Sequence, residues 1–344
     1  MSIHQYRQPK NLQTGDDKLF PPNFRAEIND PEIVEIDNTV LTPEGFILKN
    51  WRVRVETFPG GKKITSYHLL FALRQFFGWR KIITDPLFLK SRLFRKKIIV
   101  NKTCLWIIDS WSNGYFHWFA EVLPRLLWAR KKYSGEPLIL PVSFQKIKFV
   151  KESLEILGEK NIIWLKNNEV VVPKKLIVPL SPTPIGEGRP EFMQEFKKIF
   201  TLSISLADGK LGDKIYISRG GAKKRKVANE NELLPILKKY GFQIIHSEDY
   251  SFSEQIKIFS QTKFLISIHG AGLTNMIFME SGSVLEFLES GYDWKRCYFS
   301  LADSCGLYYY YQVDENGGRG GKKDYQLIVS PEKMEKNIRL MLNL

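Results

Sequence analysis

His117 and Glu121 stand four residues apart in the run Asn113-Gly114-Tyr115-Phe116-His117-Trp118-Phe119-Ala120-Glu121. On a helix that spacing puts both side chains on one face, within reach of each other. Their neighbours are apolar, so an imidazole and a carboxylate cost desolvation here unless they are paired or functional. Two readings stand side by side. The pair could move a proton at a reacting hydroxyl, with Glu121 as the preferred base, since a carboxylate withdrawn from water holds a proton more readily, and His117 as its orienter or replacement. It could equally be a structural hydrogen bond that secures the helix.

A second group surrounds the loop His269-Gly270-Ala271-Gly272-Leu273-Thr274-Asn275, which follows an apolar run and opens a helix pattern. Glycines there let a ligand approach the backbone, and a helix N-terminus offers unpaired N–H groups to a phosphate. A tight strand-to-helix turn capped by the threonine explains the same residues. The third glycine of GxGxxG is missing, so nicotinamide or flavin binding is not specifically indicated. Upstream, Arg219 ends the strand-like run Tyr216-Ile217-Ser218, and Arg225 lies in the run AKKRK. Two arginines beside a helix N-terminus suit a leaving diphosphate, although a solvated basic loop fits too. Glu286 closes the apolar run after the glycine loop, where an acid commonly takes a ribose hydroxyl pair, with a helix-capping role as the alternative.

The elements that must position these groups alternate. Strand-like runs at Ile98–Asp109, Pro137–Pro141, Ile162–Leu165 and Val170–Val178 enclose helix patterns at Tyr115–Lys132, restarted at Pro124, and Gln145–Leu157. After SPTPIGEGRP, residues 181–190, the order repeats with strands at Lys214–Ser218, Phe242–His246, Phe264–Ile268 and Ser283–Leu288 and helices between them. Alternation of this kind predicts α/β units with mainly parallel sheets, the second of them Rossmann-like. The expected organisation is a loosely ordered arm over residues 1–30, an α/β domain over 31–180, a nucleotide-binding domain over 190–330 and an amphipathic helix over 331–344 that could pack on either.

Composition narrows the function classes. The 344 residues carry a net charge of +14, which implies an anionic partner. The basic residues are spread over many segments with no zinc-finger or RRM signature, so a membrane surface is favoured over nucleic acid. Cys104, Cys297 and Cys305 form no CxxC pair, which favours neither a disulfide framework nor a zinc site. The N-terminus lacks a signal-peptide core and no run approaches the ~18 apolar residues of a membrane span, so a cytoplasmic protein, peripheral at the membrane, is expected.

Taken in order, NGYFHWFAEVLPRL, YISRGGAKKRKVANENEL and HGAGLTNMIFMESGSVLEF resemble glycosyltransferase family 61, a group that includes bacterial capsular polysaccharide biosynthesis proteins. The three motifs span roughly residues 110–290, and the first ~95 residues carry no part of the pattern. The resemblance implies a GT-B-like architecture, two Rossmann-like domains facing a cleft, and inverting transfer from a nucleotide-diphosphate sugar, often UDP-linked, to a glycan acceptor. It makes Arg219, Arg225, Asn229, His269, Gly270, Gly272 and Asn275 donor-site candidates and sets His117 and Glu121 toward the acceptor. No Asp-x-Asp occurs anywhere, and Glu230-Asn231-Glu232 reads as a helix start, so neither a metal nor another cofactor is expected. A nucleotide-binding α/β protein of other activity, or a basic protein that binds an acidic polymer, are the alternatives.

Overall fold

The computed structural model describes residues 2–21, 24–28, 32–50, 52–58, 95–180, 189–204, 212–221, 225–290, 296–314 and 326–344. The chain folds as two compact units, one of residues 29–185 and one that joins residues 1–28 to 186–344. The division falls inside the proline-rich stretch 181–190, of which residues 181–188 lie outside the described residues, as do residues 222–224 of the basic run.

Residues 1–28 differ from the loose arm expected of them. Strand β1 (Ser2–Gln5) pairs antiparallel with β2 (Arg25–Ile28). Between them Tyr6 and Phe20 are buried, and the Phe20 ring lies 5.0 Å from Phe299 and 4.7 Å from Tyr311. The Arg7 guanidinium meets Asp303 at 2.6 Å, and Asn11 donates to the Tyr311 carbonyl at 2.6 Å. The segment is polar on average, yet a few aromatic side chains bury enough surface to order it.

In the unit of residues 29–185, β3 (Ile33–Asp37), β4 (Thr39–Leu41), β5 (Ile47–Lys49), β6 (Arg52–Val53), β7 (Lys96–Leu105), β8 (Leu138–Pro141), β9 (Ile162–Leu165) and β10 (Glu169–Pro179) form one sheet. Its order is β6-β5-β4-β10-β7-β8-β9, with β3 also on β10. The expectation of a mainly parallel sheet is met only from β7 onward. The strands before it run antiparallel: β3 and β4 lie end to end along β10 with Asn38 between them at φ 56°, and the chain then reverses at the turn that holds Gly45, φ 97°, and again at Asn50, φ 50°. From β7 the chain steps to β8 and β9, then returns on the other side of β7 as β10, all parallel. The carboxyl ends of β7 and β10 therefore border a topological switch point, where open α/β sheets bind ligands.

The C-terminal unit holds β11 (Lys214–Ile217), β12 (Lys226–Val227), β13 (Gln243–Ile245), β14 (Phe264–Ile268), β15 (Ser283–Leu288), β16 (Tyr308–Val313) and β17 (Gln326–Leu327). The sheet β13-β11-β14-β15-β16 is parallel throughout, and β12 with β17 forms a separate parallel pair. Its central strands are buried on both faces, which accounts for their mostly apolar sequences. Gly282 opens β15 at φ 122°, and a β-carbon there would stand 1.9 Å from the Lys263 carbonyl oxygen, so no other residue fits. The helix Pro331–Leu342 buries Met334 and Ile338 against Tyr216, Leu237 and Phe287, which assigns it to this unit. Because the chain runs from β11 to β13 on one side and then to β14 on the other, the switch point lies between the carboxyl ends of β11 and β14.

Candidate functional site

The first cluster lies just beyond β7. The strand ends at Leu105, four residues short of expectation, and the chain turns where Asp109 Oδ1 accepts hydrogen bonds from the Trp111 N–H at 2.9 Å and the Ser112 hydroxyl at 3.0 Å. The following helix has three parts: Tyr115–His117 is α, Trp118–Val122 is π, and Leu123–Arg130 is α with Pro124 in its first turn. Pro124 has no N–H for the Ala120 carbonyl, so the hydrogen-bond ladder widens by one residue before it resumes.

On that widened turn His117 Nδ1 lies 2.9 Å from Glu121 Oε2. The carboxylate only accepts, so Nδ1 carries the hydrogen and Nε2 is the nitrogen through which protons exchange. The Glu121 side chain is 8% exposed and the His117 side chain 28%, which makes the imidazole the more accessible partner. Burial pulls the His117 pKa down. The Glu121 hydrogen bond, with the charges of Glu121 and Asp109, outweighs that pull and sets it above the ordinary 6.5. Arg125 closes the cluster: Nε donates to the Glu121 carbonyl oxygen at 3.1 Å and Nη2 to Asp109 Oδ2 at 3.1 Å. Asp109 and Arg125 are buried and were not singled out in the sequence, although Arg125 follows Glu121 by the same four-residue step that links Glu121 to His117.

The second cluster occupies the switch point between β11 and β14. Arg219 follows β11 and packs on Gly270 so closely that a β-carbon on the glycine would stand 2.7 Å from Nη1. Its Nε donates to the Arg225 carbonyl oxygen at 3.2 Å, and Arg225 holds left-handed backbone at φ 55°. Burial, and then the like charge of Arg225, draw the Arg219 pKa below its ordinary value. At Gly272 a β-carbon would press on Ile217 at 3.2 Å, so both glycines of the loop serve close packing. Ala271 is exposed, and the segment Ala271–Phe278 is a 3-10 helix with no side-chain cap. Thr274, the expected cap in the alternative reading, is instead buried inside it.

Three of the candidates face elsewhere. Glu286 is fully buried, with its oxygens bonded by His269 Nδ1 and by the Tyr309 hydroxyl, the latter at 2.6 Å. Neither oxygen is open to a ribose, and the acid holds the His269 ring in place. Asn275, also fully buried, donates to Gln255 Oε1 at 2.9 Å. Asn229 exchanges hydrogen bonds with the main chain of Val329 at 2.9 and 3.0 Å, tying the helix Glu230–Lys239 to the chain after β17. Glu230 accepts from Tyr216 at 2.7 Å and Ser218 at 3.0 Å, which commits it to β11. The structure thus brings Arg219, Arg225, His269, Gly270 and Gly272 together at one sheet edge and turns Asn229, Asn275 and Glu286 to holding that edge.

A family model described as Glycosyltransferase 61 matches residues 115–285, from the start of the His117 helix into β15. The chain belongs to glycosyltransferase family 61. The family match takes in His117, Glu121 and Arg125 and the Arg219–Gly272 cluster, begins after Asp109, and stops one residue before Glu286. Among its relatives, the EGF domain-specific O-linked N-acetylglucosamine transferase of Rattus norvegicus is 35% identical over 107 residues, 30% of this chain and 20% of that protein. The protein of the same name from Drosophila melanogaster is 38% identical over 97 residues, 27% of this chain and 18% of that one. Protein O-linked-mannose beta-1,4-N-acetylglucosaminyltransferase 2 of Canis lupus familiaris is 25% identical over 212 residues, 58% of this chain and 32% of that protein. The family 61 chain thus matches about a fifth of the length of the first of these relatives.

Proposed function

We propose that this family 61 chain is a glycosyltransferase of GT-B type that moves a sugar from a nucleotide diphosphate, with UDP as carrier, to a hydroxyl of a glycan acceptor. The reading rests above all on Arg219 seated against the glycine loop at the switch point of a parallel sheet, within a family 61 match. Arg219 and Arg225 neutralise the diphosphate as it leaves, a preorganised electrostatic role that needs no metal ion. The acceptor oxygen forms its bond to the anomeric carbon as the bond to the diphosphate oxygen breaks, and the electron pair leaves with the diphosphate. The anomeric centre inverts.

The acceptor proton passes to His117 Nε2, with Glu121 holding the ring and balancing the imidazolium charge. This reverses the preference for Glu121 as base, because the carboxylate is the more buried partner and is already bonded to the imidazole. The relatives are named for N-acetylglucosamine transfer, which makes UDP-N-acetylglucosamine the first donor to try. The setting is polysaccharide or capsule assembly in the cytoplasm, and the net charge of +14 draws the protein to an anionic membrane surface. Thermal melts against UDP-, GDP-, CMP- and dTDP-sugars test the reading, since a bound ligand stabilises the native state. Stabilisation by UDP-sugars and slow release of UDP from one of them are the expected results. No stabilisation by any nucleotide sugar would remove it.

A further inference from the structure

Tyr308 opens β16 opposite Ser283, the first residue of β15, and so stands at the amino edge of the C-terminal sheet. A strand's length, roughly 17–20 Å, separates it from the carboxyl edge that carries Arg219 and Gly270. Beside Tyr308 lies a recess of about 280 Å³, walled by Arg7 and Lys10 from the N-terminal segment and by Asp303 and Leu307 from the end of the helix Cys297–Ser304 and the turn after it. The N-terminal segment is fastened there by its main chain, where the Lys10 N–H donates to the Tyr309 carbonyl oxygen at 2.9 Å.

The charges around this recess do not cancel. Asp303 is buried and spent on the N-terminal segment: Oδ1 accepts from Arg7 Nε at 2.6 Å, and Oδ2 meets His4 Nε2 at 2.7 Å. The Arg7 side chain stays 50% exposed beyond that bond, and Lys10 forms no ion pair among the described residues. The Lys10 ammonium lies instead 4.5 Å from the centre of the Tyr308 ring, with Arg7 Cζ 5.8 Å from the same centre. That ring is 48% exposed, whereas Tyr309, Tyr310 and Tyr311 after it are buried. An exposed aromatic face under an unbalanced cation, with a guanidinium at its side, suits a ligand that joins a negative group to a flat apolar face.

We propose that this recess binds an acidic saccharide, a uronate unit of a glycan chain, with the sugar carboxylate on Lys10 and Arg7 and the C–H face of the sugar ring on Tyr308. The carboxylate draws the ammonium off the aromatic face, and the sugar takes the space it leaves. A lipid surface fits less well, because Tyr308 is the single large exposed apolar side chain among the lining residues and offers little to bury in a bilayer. The choice of a glycan over another carboxylate rests on the transferase reading above. The site stands apart from the donor edge and gives the protein a second hold on an acidic chain, which keeps that chain at high local concentration between transfers.

Calorimetric titration of the full chain with trigalacturonate and with a hyaluronan tetrasaccharide, each beside its carboxyl-reduced neutral counterpart, tests this. An acidic probe should bind roughly tenfold tighter than its neutral counterpart, the worth of one charge-assisted hydrogen bond. Lys10→Ala should erase that advantage, Tyr308→Ala should weaken the acidic probe by a similar factor, and Tyr308→Phe, which keeps the ring, should bind as the wild type does. All three variants should keep the wild-type melting temperature and UDP affinity. Acidic probes that fail to bind, or that bind Lys10→Ala and Tyr308→Ala as well as the wild type, overturn the site, and UDP binding in the same protein leaves the transferase reading in place. Phosphatidylglycerol vesicles that retain the wild type but neither alanine variant, with no saccharide bound, overturn it in favour of a membrane surface. An acidic saccharide held through Lys10 and Tyr308 by a chain that binds no nucleotide sugar supports the site and removes the transferase reading.

Discussion

Arg219 and Gly270 are in contact across the switch point of the C-terminal sheet, with Nη1 occupying the space where a β-carbon on residue 270 would begin. Gly270 is in extended backbone at φ 176°, so the requirement for glycine is one of room and not of conformation. A methyl group at this position meets the far end of a flexible side chain, which can swing away. Gly270→Ala should therefore leave the melting temperature nearly unchanged while it displaces the guanidinium and weakens UDP by about tenfold, the worth of one charge-assisted contact. Full UDP affinity in a calorimetric titration of Gly270→Ala would separate the glycine from the anion site.

Arg219→Ala and Arg225→Ala should each cost about 1.5–3 kcal/mol of nucleotide-diphosphate affinity, as charge-assisted bonds do. Arg219→Lys should not rescue it, because lysine lacks the Nε–H that donates to the Arg225 carbonyl oxygen. Unchanged UDP affinity in both alanine variants would mark the segment as a solvated loop.

Donor binding and turnover should survive EDTA. The sequence has no Asp-x-Asp, and the acids at residues 230 and 232 are bonded to Tyr216, Ser218 and Asn229. Activity lost to EDTA and restored by Mn²⁺ or Mg²⁺ would contradict this.

If His117 is the base, it works only when neutral, so kcat/KM should fall as pH drops through its pKa, which lies above 6.5. Glu121 is what raises that pKa against the effect of burial. Glu121→Gln should accordingly move the acid limb of the profile to lower pH and retain some turnover, while His117→Ala should be folded and inactive. An inactive Glu121→Gln beside an active His117→Ala would return the role to Glu121. The same shift is a stability term: His117 gains from Glu121 below its unfolded pKa, and that gain is lost as pH rises through the folded value.

Tyr309→Phe removes the hydroxyl that reaches Glu286 in a fully buried setting, and should cost about 1–3 kcal/mol, the usual penalty for a buried acceptor left without its donor. Urea denaturation measures it, and the loss should appear as a lower midpoint at unchanged slope. A midpoint equal to wild type would mean that Glu286 is satisfied by His269 alone.

Local pattern carried much of this molecule. β14 and β15 run over Phe264–Ile268 and Ser283–Leu288 as expected, because strands buried on both faces are mostly apolar and Gly282 marks the start of β15. That His117 and Glu121 lie within reach of each other followed from helical spacing, and the Pro124 restart from its missing N–H. What the sequence could not decide was which polar groups would be spent on one another. Glu286 meets Tyr309 only because β15 and β16 lie side by side in parallel register, and Asp109 meets Arg125 only after the chain turns off β7. Residues 1–28 looked like a loose arm because composition averages over a segment, whereas the few aromatic residues that dock it find their pockets nearly 300 positions away. Burial and hydrogen bonding between such distant groups depend on register and chain crossing, which no local window of residues contains.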